Sequence, residues 1–106
     1  MSDFVMVYVT VASKEEAEKI TRVLLEERLV ACVNIVGPVS SRFYWEGKID
    51  LVEEYLLIMK TRRGLFAILE KRVGVLHSYE VPEILAVPII DGSVAYLDWL
   101  ASTLPH

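Results

Sequence analysis

Cysteine is nearly absent from this chain: Cys32 stands alone among 106 residues. No intrachain disulfide and no cysteine-rich zinc site can form, and a lone thiol agrees with a reducing compartment. Long apolar runs are missing too. The longest, such as Phe4 to Val11 and Leu85 to Ile90, fall far below the roughly 18–20 residues of a membrane helix. The beginning carries Asp3 and a β-branched run rather than a basic segment followed by a small-residue cleavage site, so no signal peptide is expected and the expected location is cytoplasmic. Positive charge is scarce: 11 basic against 15 acidic side chains give a net charge of −4, and the basic residues are scattered. Nucleic-acid binding needs a basic footprint to neutralise phosphates, so that class is excluded.

What is abundant is apolar surface. Hydrophobic residues make up 54% of the chain, against an average of roughly 45–50%, and the length fits one domain over 1–106. Phe4 to Val11 is apolar on both alternating sets, which predicts a strand buried on both faces. Ser13 with Glu16 three positions on is a capping-box pattern. The helix it opens carries an Ala17, Ile20, Val23, Leu24 stripe. Short-period apolar residues then run from Leu29 to Trp45, interrupted at Gly37-Pro38, which predicts one long strand bent there. Glu46-Gly47 is a hairpin turn candidate. A further strand runs from Lys48 to about Thr61, and a helix over Gly64 to Leu76 keeps Leu65, Ile68, Leu69, Val73 and Leu76 at helical spacing. The last strand is Ile84 to Ile90, where Pro88 predicts an edge position. Ser93 caps a short final helix.

The order β-α-β-β-α-β plus a terminal helix predicts an α+β, ferredoxin-like split βαβ fold, an antiparallel sheet with helices on one face. At roughly 3.3 Å per residue the two hairpin strands reach about 45 Å, whereas the first helix spans about 20 Å. The hairpin therefore overhangs its helices. Helices cover one sheet face, yet the first and third strands are apolar on both, and an uncovered apolar face marks an association surface.

Particular residues add to that pattern. Ala31-Cys32-Val33-Asn34-Ile35, Tyr44-Trp45-Glu46-Gly47-Lys48-Ile49, Glu54, Lys60-Thr61, His77-Ser78-Tyr79-Glu80-Val81-Pro82-Glu83-Ile84 and Tyr96-Leu97-Asp98-Trp99 together resemble the CutA family of divalent-cation tolerance proteins, over about Val7 to Trp99. The resemblance implies a homotrimer with its sheets packed around a threefold axis, an architecture related to the PII signalling proteins, and tolerance to copper and other divalent cations. Two positions depart from the family pattern. Members usually carry His-Pro-Tyr where this chain has His77-Ser78-Tyr79. Some members place in the first strand a cysteine proposed to bind copper, and Val9 stands there.

Several side chains are candidates for chemistry. His77, Glu80 and Glu83 lie within seven residues, and imidazole with carboxylates suits Cu(II) or Zn(II); equally, a histidine at a helix end interacts well with the helix dipole without a ligand. Lys60, near the end of a buried strand, needs a partner because an unpaired buried ammonium is costly. A carboxylate such as Glu54, Glu80 or Glu83, or a small anionic ligand, satisfies that need. Trp45 and Tyr79 are candidates to line a cleft between subunits, with plain packing as the alternative. Cys32 is expected to be inert in a buried strand and Trp99 to be core.

Other functions of this fold fail on sequence. Thr10 to Lys14 has neither the glycine nor the arginine of an anion-binding loop after strand one. There is no C-x-x-C for a metal chaperone, and Leu51 to Met59 lacks the aromatics and basic residues of an RNA-binding strand. A binding or response protein is expected, rather than an enzyme.

Overall fold

The computed structural model describes residues 3–105. Its elements run β1 (Phe4–Val11), α1 (Lys14–Glu26), β2 (Cys32–Trp45), β3 (Lys48–Arg62), a 3-10 turn (Arg63–Leu65), α2 (Phe66–Leu76), β4 (Ile84–Pro88) and α3 (Val94–Thr103). The sheet has the order β2-β3-β1-β4 with every neighbouring pair antiparallel. This is the expected α+β, ferredoxin-like arrangement, and Pro88 indeed ends an edge strand.

Alternation along β1 divides the sheet into two faces. Val5, Val7, Val9 and Val11 turn toward the helices and are buried with Ile20 and Leu24 of α1, Leu69 and Val73 of α2, and Leu57 and Met59 of β3. Met6, Tyr8 and Thr10 turn to the opposite face. There the register sets Met6 beside Lys60 and Tyr8 beside Ile58, Cys32 beside Lys60 and Asn34 beside Ile58, and Leu85 and Val87 on the far side. Leu85 is 57% exposed, because α1 and α2 leave this face open.

Ser13 caps α1 as its sequence predicts, its hydroxyl accepting from the Glu16 N–H at 3.1 Å. Ser93 caps α3 in the same way through Tyr96. The helix over Gly64 to Leu76 starts two residues later than expected, since Arg63 to Leu65 form a 3-10 turn. Leu29, Val30 and Ala31, expected in β2, instead form a buried connection before it.

The third helix departs from the expectation of helices on one face. It packs across the end of the sheet, where Leu100 and Leu104 bury against Phe4 and Ala31. Phe4 shares its alternation with Met6, so α3 closes the first few ångströms of the open face. Arg62 fastens it there: the guanidinium lies over the Phe4 ring at 5.3 Å and donates to the carbonyls of Ala101 and Pro105. The donor at Ala101 satisfies one of the carbonyls that a helix C-terminus leaves without partners. Leu100 occupies the core position, and Trp99, expected to be core, is 44% exposed.

Beyond Val11 the sheet loses its middle. The β1–β3 pairing ends at Val11 with Tyr55, whereas β2 and β3 continue together to Trp45 with Lys48. Val39–Trp45 and Lys48–Glu54 therefore form a two-stranded arm, about 23 Å long at roughly 3.3 Å per residue. Its bend is a register shift between Val36 and Val39, beside the cis Gly37–Pro38 peptide. Its tip is a two-residue turn with φ of 51° at Glu46 and 80° at Gly47, both in the left-handed region that a type I′ hairpin requires. Phe43, Tyr44, Trp45, Ile49 and Leu51 on the arm are all exposed.

Candidate functional site

Chemistry-bearing side chains gather in two places, at opposite ends of β1. The first is the connection after α2. His77 ends that helix with its side chain fully enclosed. Its Nε2 lies 2.7 Å from the Thr10 carbonyl, while Nδ1 accepts the Tyr79 backbone N–H at 3.0 Å. A neutral ring protonated at Nε2 satisfies both contacts. The Tyr79 ring stacks obliquely on it at 4.8 Å, and the Tyr79 hydroxyl donates to Glu54 Oε2 at 2.7 Å. Glu16 closes the other side: its carboxylate accepts from the Ser78 N–H at 2.8 Å and the Ser78 hydroxyl at 2.9 Å.

Both titration effects at this end follow from these contacts. Burial pushes the Glu16 carboxyl up, but the two Ser78 donors, the His77 ring and the Ala12 backbone outweigh it and hold the group below its ordinary 4.5. Burial, the bond to Glu54 and the charges of Glu54 and Glu16 push the Tyr79 phenol up to about 12. A carboxyl lowered in the folded state adds stability that is complete above 4.5 and is lost as pH falls through its folded value. Glu16→Gln is therefore expected to flatten the acid limb of stability against pH. Urea unfolding between about pH 3 and 6 measures it, and an unchanged limb would show that the Ser78 bonds carry no weight.

The cluster does not assemble the expected metal ligands in one chain. Both nitrogens of His77 are already engaged, Glu80 and Glu83 are exposed, and among the described residues no three His, Cys, Asp or Glu side chains converge as a metal would need. Ligation by His77 requires the ring to give up Thr10 or Tyr79.

The second gathering lies on the open face, under α3. Lys60 does not meet Glu54, Glu80 or Glu83: Glu54 is taken by Tyr79, and the ammonium instead donates to Asn34 Oδ1 and lies 3.9 Å from Cys32 Sγ. Among the described residues Lys60 enters no ion pair with a carboxylate. Tyr96 of α3 reaches the same sulfur, and burial together with the neighbouring Cys32 raises its phenol pKa. Cys32 is thus half-buried in a polar cluster, not sealed among apolar neighbours as expected. Trp45 stands at the arm tip, 54% exposed, about 40 Å along the strand from Lys60. Trp45, Lys60 and Tyr79 line no common cleft within a single chain.

Sequence reasoning passed over Glu16, Asn34 and Tyr96 as site residues. Asn34 carried a signal, being two positions from Cys32 on the same strand face. Tyr96 carried none before the placement of α3 was seen.

The family model described as CutA1 divalent ion tolerance protein matches residues 5–103. The chain belongs to the CutA1 family. The Divalent-cation tolerance protein CutA of Thermus thermophilus is 48% identical over 95 residues, 90% of this chain and 92% of that one. The Protein CutA, chloroplastic, of Arabidopsis thaliana is 44% identical over 99 residues, 93% of this chain. The chain spans about half of that plant relative, 54% of its length. Among solved structures, the periplasmic divalent cation tolerance protein CutA of Archaeoglobus fulgidus superposes with a TM-score of 0.91 at 46% identity, covering 94% of this chain and 97% of that one. By name, then, CutA relatives include chloroplastic and periplasmic proteins, and the cytoplasmic expectation for this chain is not a family property. Among the described residues no helix is long and apolar enough to cross a membrane.

Proposed function

We propose that this CutA chain is a cytoplasmic homotrimer that binds and responds to divalent cations, with copper(II) or zinc(II) as the class of ion, and that it works by binding rather than catalysis. The observation that carries the assembly is the arm. A two-stranded ribbon is at best marginally stable by itself in water, and this one exposes Phe43, Tyr44, Trp45, Ile49 and Leu51. On the open sheet face Tyr8, Ile58, Leu85 and Val87 add further apolar surface. Copies of the chain packed through that face and clasped by their arms bury both, in a PII-like assembly.

For the cation we assign the region of His77, Glu80 and Glu83, whose imidazole and carboxylate donors suit copper(II) and zinc(II). Binding there is weak, since the ring trades an existing hydrogen bond for the metal. The family's association by name with divalent ion tolerance supports this reading. A second reading is favoured by Lys60, which among the described residues has no carboxylate in an ion pair with it: the trimer also takes a small anion beside it.

Sedimentation velocity at micromolar concentration tests the assembly. One species of three 12.0 kDa chains is expected, and Ile58→Asp, which sets a charge in the middle of the open face, is expected to shift it to monomer. A parent chain sedimenting as a monomer overturns the proposal.

A further inference from the structure

We propose that cation binding at His77 is coupled to assembly through the bond between Tyr79 and Glu54, so that the cation loosens the arm that clasps a neighbouring copy. The inference rests on the cation and trimer readings above and names the regulation of that same site. Glu54 is the last residue of the arm on β3, set opposite Val39 just past the register shift of β2. It is 4% exposed. A buried carboxylate needs donors, and among the described side chains the Tyr79 hydroxyl, at 2.7 Å, is the one that donates to it.

Tyr79 is in turn held by the cation region. Its backbone N–H donates to His77 Nδ1 at 3.0 Å, and its ring lies 4.8 Å from the imidazole. With the ring proton on Nε2, facing the Thr10 carbonyl, Nδ1 carries the lone pair that a cation takes. Glu16 Oε2 lies 3.5 Å from Nδ1 and draws positive charge to that nitrogen. A cation there displaces the Tyr79 N–H.

His77, Tyr79 and Glu54 thus form a continuous series of contacts from the cation to the root of the arm. Displacing Tyr79 costs Glu54 its donor. A buried carboxylate that loses its donor has little water to replace it, so the cost exceeds that of a surface bond and falls where the arm leaves the sheet. The coupling is reciprocal: an arm fixed in the assembly opposes cation binding by the same factor.

The test uses the full-length chain with zinc(II) alone as the probe. Plain and isotope-labelled protein are mixed, subunit exchange is read by native mass spectrometry, and zinc(II) binding is titrated by calorimetry. In the parent, saturating zinc(II) is expected to speed exchange at least about fivefold, the lower end of usual coupling. Tyr79→Phe combined with Glu54→Met removes both partners of the bond and orphans neither. In that variant zinc(II) is expected to change exchange less than about twofold and to bind at least about fivefold more tightly than in the parent, a shift that a merely structural bond would not give. Glu54→Gln keeps an acceptor for the hydroxyl and is expected to keep the parent's response. Zinc(II) that binds the parent without speeding exchange, or that speeds exchange equally in the double variant, overturns the coupling and leaves the cation reading standing. No zinc(II) binding to the parent removes the cation reading and the coupling with it, and a monomeric parent removes the assembly on which the coupling acts.

Discussion

His77→Ala is expected to lower the free energy of unfolding by about 2–4 kcal/mol, a large part of what holds a small domain together. The ring is enclosed and makes three contacts: with the Thr10 carbonyl at the end of β1, with the Tyr79 N–H, and with the Tyr79 ring. Alanine leaves a carbonyl and an N–H without partners and opens a cavity beside them. Urea unfolding measures the loss, and a change below about 0.5 kcal/mol would mean that water replaces both bonds. The same variant tests the cation reading. Calorimetry with copper(II) is expected to lose its heat in His77→Ala and to keep it in Cys32→Ser. The reverse outcome would move the cation to the opposite end of the sheet.

Gly37→Ala is expected to cost about 1–3 kcal/mol, the range for overpacking. A Cβ at this position would stand 2.4 Å from Tyr55 Cδ2 and 2.8 Å from Cε2. A ring cannot yield as the tip of a flexible side chain does, and Tyr55 packs against the main core. The bend of the arm thus depends on a glycine for space rather than for backbone freedom. Tyr55→Leu in the Gly37→Ala background is expected to recover part of the loss, which a double-mutant cycle reads directly. Additive effects of the two substitutions would deny the contact.

The elements were legible because their signals are local. The Ser13 and Ser93 caps, the span of β1 from Phe4 to Val11 and the Glu46-Gly47 turn each depend on residues a few positions apart, and all appear where expected. The partner of Lys60 was not legible. Asn34 meets it only through the β2–β3 register, and the bulge between Val36 and Val39 offsets that register in a way no window of sequence reports. Glu16 shows a similar limit: the capping-box pattern anticipates a carboxylate turned back on its own helix, but Ser78, 62 positions away, takes it. The choice between Trp99 and Leu100 as the core residue of α3 likewise follows from where the helix docks, not from its own spacing.

The two-residue turn at Glu46-Gly47 has a consequence for order in time. Contacts across a tight turn form in about 1–10 μs, whereas subunit docking takes milliseconds or longer and waits on collision. In the proposed trimer each arm is therefore shaped before it has anything to clasp, and newly made chains meet one another as preformed hooks. Until they meet, β2 and β4 both present unpaired strand edges, the feature that leads to off-pathway aggregation. A cell making little of this protein exposes each chain to that hazard for longer than one making much.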